Sequence, residues 1–231
     1  MLITKIKSAY EHSRIYSLIE KTINNYFKNR LKNENFTIVC PNCIGGQIYH
    51  RFSHKFDSPL INLSINTDDF IKFLNHFDYY IQANLKKTTD RNDGKPRAII
   101  EGENDIPDIT LTFVHYDSFE EGASKWYERR NRINKENMYL IMFDIDDIYN
   151  HDYASVGYLS DEQLKVFESF ECNNKVVFTR RKDCKSKYAF YIKPRLSKPL
   201  PLLYFSKNFL GLRHYECKFN LIKFFNTKHS H

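Results

Sequence analysis

Nowhere in the 231 residues is there a run of about 18 consecutive apolar side chains, which excludes a bilayer-spanning helix. Met1 to Lys7 lack an apolar core followed by a small-residue cleavage site. Nothing there resembles an export signal, so a cytoplasmic protein is expected. Cysteines are few, odd in number and scattered (Cys40, Cys43, Cys172, Cys184 and Cys217), which argues against a disulfide framework. Cys40-Pro41-Asn42-Cys43 has the spacing of a redox pair or of half a zinc site, but no second C-x-x-C completes a metal set. No metal and no tightly bound cofactor are expected. The sequence also lacks a homogeneous basic run, a recognisable nucleic-acid module, an internal repeat and a low-complexity segment. Nucleic acid is therefore not an expected partner.

What is present is a surplus of seven positive charges, 35 Lys+Arg against 28 Asp+Glu, which attracts anions without choosing among phosphate ligands and a membrane surface. At about 150 residues per domain, the length suits one α/β domain with a terminal extension. Residues 1–34 carry seven basic and three acidic side chains, with Ile15, Leu18, Ile19, Ile23, Tyr26, Phe27 and Leu31 near helical spacing. The pattern predicts a basic amphipathic helix, packed on the domain or docked to the inner face of an anionic membrane or to a partner.

Residues 35–231 are expected to form a single α/β domain, a mixed or mostly parallel sheet with helices on both faces. Asn35 to Cys40 is a strand entering a glycine turn, and a short strand is expected around Leu60 to Leu63. Asn66 caps a helix carrying Phe70, Phe73, Leu74, Phe77 and Ile81. Lys86 to Lys95 is a loop, while Ala98 to Ile100 and Ile109 to Val114 are strands. Ser118 and Ser160 open capped helices, and Met138 to Phe143 is a buried strand. Val176 to Thr179 and Tyr188 to Ile192 are further strands. An aromatic helix is expected near Tyr215 to Phe225.

Four groups can carry chemistry. Cys43 follows the first strand of the domain, at a turn whose helix-side amides favour thiolate. Gly45 and Gly46, with the Asn42 side chain, can face a developing oxyanion. His115 ends a strand and suits a general base to Cys43, with Asp144 or Asp146 holding its tautomer. Lys125, Arg129 and Arg132 lie on a helix beside Trp126 and can clamp a phosphate. Asp144-Ile145-Asp146-Asp147 has the D-x-D form that holds a divalent cation in sugar-nucleotide transferases. Each has a structural counterpart: a small cysteine in a turn, a hydrogen-bonded histidine, a core tryptophan with arginines paired to Glu120, Glu121 or Glu128, and an acidic cap.

Phe36-Thr37-Ile38-Val39 followed by Asn42-Cys43-x-Gly45-Gly46, then Ser58-Pro59, Asp68 to Leu74, His115-Tyr116, Lys125-Trp126-x-x-Arg129-x-x-Arg132-Ile133-Asn134 and Asn174 to Thr179 resembles a bacterial family of exopolysaccharide biosynthesis proteins that carry a domain of unknown function. The likeness runs over roughly residues 35 to 225. It departs at Cys40-Pro41, where the family tends to Ser or Asn, and at Asp147, which stands where the family has glycine. The resemblance implies a place in assembling capsule, exopolysaccharide or lipopolysaccharide. The Asn-Cys-x-Gly opening is also similar to coenzyme-A-binding capsule proteins proposed to be acyltransferases. Together these imply acyl transfer from an acyl-coenzyme A, a phosphate-bearing donor, to a sugar or glycan acceptor. A metal-dependent glycosyltransferase and a noncatalytic glycan-assembly partner are the alternatives.

Overall fold

A computed structural model describes residues 13–88, 94–145, 157–193 and 207–227. Asp146 and Asp147 lie outside them. Helix α1 (Arg14–Arg30) precedes β1 (Thr37–Val39), α2 (Ile44–Arg51), α3 (Thr67–Asn75) and α4 (Phe77–Gln82). Then come the strands β2 (Lys86–Thr88), β3 (Arg97–Ile100) and β4 (Ile109–Thr112), and helix α5 (Phe119–Arg130). The chain continues through β5 (Met138–Phe143), α6 (Asp161–Ser169), β6 (Asn174–Thr179), β7 (Ala189–Tyr191) and α7 (Leu221–Asn226).

Strands β1, β5, β6 and β7 lie in that order in one parallel sheet, and β2, β3 and β4 form a separate antiparallel sheet. The uninterrupted apolar run of β5 follows from burial on both faces, where successive side chains enter opposite cores. Met138, Leu140 and Met142 pack with the antiparallel sheet, α3, α5 and α6. Tyr139, Ile141 and Phe143 pack with α2 and α7. Helices thus cover both faces, and the fold is α/β.

The caps agree with the sequence. Asn66 accepts from the Asp69 amide, Ser118 from the Glu121 amide, and Ser160 and Gln163 form a reciprocal capping box. Elsewhere the boundaries move. The helix expected through Ile81 breaks at His76, whose φ of −128° is not helical, and α4 turns Phe77 edge-on against Phe170. Residues 59–62 are turns, with Asn62 at φ +67°, Leu63 is in no strand, and in this stretch only Ser64 makes a strand-like bridge, to Thr112. Lys86 to Thr88, expected as loop, pairs with β3 as an edge strand whose lysines face water. The C-terminal helix begins only at Leu221, where Asn220 caps it, because residues before it turn around Glu216.

Among the described residues no helix is long and apolar enough to cross a membrane. Helix α1 lies against the domain. Tyr16 is buried, and Phe27 meets Phe52 at 5.8 Å. Arg51, at the end of α2, donates to Asn24 (2.6 Å) of α1 and to the Gly211 carbonyl (2.6 Å), and pairs two-pronged with Glu216 (2.7 and 3.0 Å). Both charged side chains are buried. Removing one member of such a pair strands the other charge. Glu216→Leu is therefore expected to cost about 3–5 kcal/mol in urea unfolding, with much of that loss recovered in Arg51→Met/Glu216→Leu. A single-variant loss below about 1 kcal/mol, the range of exposed pairs, would show that the pair is not the fastening proposed.

Candidate active site

The site is built where β1 leaves the parallel sheet. Cys40 Sγ donates to the Asn42 carbonyl at 3.3 Å, and the Asn42 side-chain oxygen accepts from the Ile44 amide at 3.1 Å. That bond satisfies one of the open amides at the start of α2. Cys43 takes the N-cap position with no side-chain capping bond, and it is half-buried. On the other side, β4 ends at Thr112 and a turn follows in which the Tyr116 amide reaches the Phe113 carbonyl at 3.4 Å. This turn presents the exposed His115. His115 Nε2 stands 3.1 Å from Cys43 Sγ, across 72 positions of sequence.

Residues 58–66 make that meeting possible. Ser64 exchanges both backbone bonds with Thr112, each 2.8 Å, and the next residue donates from the Ile65 amide to the Pro41 carbonyl at 2.9 Å. The stretch must pass close over α2. A Cβ on Gly45 would lie 2.7 Å from both Cys40 Sγ and Ile61 Cδ1, so the glycine is required for packing. Gly46 is also close to this stretch, 3.2 Å from Ile61 by the same measure. Of the residues expected around an oxyanion, Asn42 is thus used as a cap and Gly45 as a close-approach point.

The cations of α5, and Arg132 just past its end, are engaged within the chain. Arg129 is buried, and its Nη1 donates to the Ile61 carbonyl (3.0 Å) and the Tyr116 hydroxyl (2.8 Å), while the guanidinium lies over Phe56. Arg132 donates to the Phe56 carbonyl (2.9 Å) and pairs with Glu128, which also takes Lys125 at 2.8 Å. Arg129 therefore ties the turn bearing His115 to the stretch that crosses α2. It was expected to contact an anion; its position makes it a brace.

Asp144, after β5, does not meet His115. Its carboxylate accepts from Thr179 (2.6 Å), Arg181 (2.8 and 3.3 Å) and the Leu159 amide (3.0 Å), and the side chain has no exposed surface. These bonds occupy both oxygens. Thr179 and Arg181, at the end of β6, were missing from the sequence-derived set; the β-strand pattern before them was the only signal. Asp146 lies outside the described residues.

Burial pushes the Cys40 thiol up to about 12, which sets it apart from a redox-active pair. His50 and His54 stand four apart, a metal-ligating spacing, yet His54 lies beyond the end of α2 and its Nδ1 contacts the Lys55 carbonyl at 2.8 Å. Among the described residues no group of His, Cys, Asp and Glu is placed to hold a metal ion.

The family model described as "Domain of unknown function (DUF1919)" matches residues 14–226. An uncharacterized protein of Haemophilus influenzae is 27% identical over 229 residues, covering 96% of this chain and 97% of its own length.

Two outcomes test this geometry. Gly45→Ala forces Cys40 and Ile61 apart and is expected to cost about 1–3 kcal/mol, the range for overpacking, read by urea unfolding. With iodoacetamide at pH 8, Cys43 is expected to alkylate well before Cys40 and Cys172. The thiols of those two are held up to about 12 and about 11 by burial and stay protonated until pH approaches those values, whereas the thiolate is the reactive form. Peptide mapping that finds Cys40 modified as fast as Cys43 would contradict the burial described.

Proposed function

Since the chain belongs to the DUF1919 family, whose description names no reaction, we propose its function from the site: a cysteine–histidine transferase that moves an acyl group, such as acetyl, from a coenzyme-A thioester to a sugar hydroxyl in the assembly of a bacterial surface polysaccharide. The observation that carries the reading is the 3.1 Å contact between Cys43 Sγ and His115 Nε2. A nucleophile and its base need that hydrogen-bond reach. The sugar acceptor and acyl donor rest on the sequence resemblances at Asn42-Cys43-x-Gly45 and the other motifs.

In the first half-reaction His115 Nε2 takes the thiol proton as Cys43 Sγ attacks the acyl carbon. The bond from that carbon to the coenzyme-A sulfur breaks, and the departing sulfur takes the proton back from His115. In the second half the acceptor hydroxyl gives its proton to His115 while its oxygen attacks the Cys43 thioester. The Cys43 sulfur leaves and is reprotonated by the imidazolium. Atoms, charge and protons balance over the cycle, and all four proton transfers use one nitrogen. Asp144 takes no part in this scheme. Its complete engagement by Thr179, Arg181 and Leu159 also weighs against a glycosyltransferase that would load a metal there.

The full chain incubated with acetyl-coenzyme A is expected to gain one acetyl group on the peptide carrying Cys43. Cys43→Ala abolishes the adduct, and His115→Ala slows it by about 10²–10⁴-fold, the range for a lost general base. Cells carrying Cys43→Ala are expected to keep the glycan backbone and lose its O-acyl groups. An unchanged acyl content in those cells would sink the transferase reading and favour a noncatalytic partner in glycan assembly, and loss of the backbone linkage would favour glycosyl transfer.

A further inference from the structure

We infer that the outer flank of α1, with the turn at residues 208–211, is a docking surface for an anionic lipid bilayer. The inward stripe of the helix, Tyr16, Ile19, Ile23 and Phe27, is at least partly covered by the domain and accounts for how α1 packs. It leaves Ile15 and Leu18, which are 66% and 67% exposed and, three residues apart, are neighbours on the helix surface. The turn is fastened to the same end of the helix. Lys207 pairs with Glu20 at 2.5 Å, and Gly211 comes so near that an added Cβ would lie 3.3 Å from the Tyr16 hydroxyl. Its tip exposes Phe209 (71%) and Leu210 (37%). Two stretches far apart in sequence therefore bring large apolar side chains to one end of α1.

Among the described residues the charge on this flank has one sign. Arg14, Lys21 and Lys28 are exposed and form no ion pair among the described residues, and the one acid of α1, Glu20, is spent on Lys207. Apolar side chains beside cations that no described acid pairs with fit an interface in which hydrocarbon enters the headgroup–acyl boundary while lysine and arginine meet lipid phosphates. The surface is the flank of a helix rather than a groove for a peptide, which favours a bilayer over an acidic protein.

The full chain is expected to float with vesicles of phosphatidylglycerol mixed into phosphatidylcholine, and not with phosphatidylcholine alone. Binding falls with added salt. Lys21→Gln lowers partitioning about fivefold, as expected for one cation near an anionic surface, and Leu18→Ser lowers it too, with the thermal melt unchanged because the side chain is exposed. No flotation with phosphatidylglycerol, or equal flotation with both lipids, would overturn the inference. So would self-association, or preferential binding of polyglutamate, abolished by Leu18→Ser without lipid. Acylation of Cys43 is read in solution, so failure of either assay leaves the other standing.

Discussion

Two consecutive residues hold the two sheets at a fixed separation. Ser64 is hydrogen-bonded through both its amide and its carbonyl to Thr112 of the antiparallel sheet, and Ile65 donates to Pro41 at the rim of the parallel one. Cys43 lies two residues beyond Pro41, and His115 three beyond Thr112. Neither span is long enough for the chain to wander far, since each residue adds at most about 3.3–3.6 Å. The 3.1 Å approach of sulfur to imidazole is therefore a property of the backbone framework more than of either side chain. Loosening that link would separate thiol and imidazole while leaving each core intact.

The surroundings of this link are built to keep it taut. Gly45 lets the crossing stretch sit directly on α2, and Arg129 gathers the Ile61 carbonyl and the Tyr116 hydroxyl from beneath. The same helix buries Trp126, although its indole N–H finds no partner among the described residues. Leaving that donor unpaired costs about 1–3 kcal/mol. Burying an aromatic side chain of roughly 150–250 Å² at about 25 cal/mol per Å² returns about 4–6 kcal/mol. The balance favours burial, so α5 stays anchored and Arg129 stays in position.

Much of this was legible in the sequence. The unbroken apolar run of β5, the serine and asparagine caps and the alternation of strand and helix signals depend on local chemistry, and local patterns report them. That Cys43 and His115 each follow closely on a strand was also readable, and ligands gather beyond such strand ends. What the sequence left open were the choices set by long-range partners. Asp144 reads as an available carboxylate until Thr179 and Arg181, 35 and 37 positions away, occupy it. Arg129 reads as a cation awaiting an anion until a carbonyl and a phenol claim it. Lysine-rich β2 reads as loop because an edge strand keeps its polar face in water.

A thiol suits this site better than a hydroxyl would. A serine nucleophile depends on a strongly oriented base, and in a triad a carboxylate provides the orientation. Here His115 is exposed, its hydrogen bond among the described residues runs to Cys43, and Asp144, one of the two acids expected to steady it, is bound elsewhere. A thiol is intrinsically more nucleophilic and is partly ionised near neutral pH without such help. Cys40, only three residues earlier, has the same element and the same helix nearby, but burial keeps it protonated. Burial at Cys40 against partial exposure at Cys43, rather than residue type, is what distinguishes the two thiols of this turn.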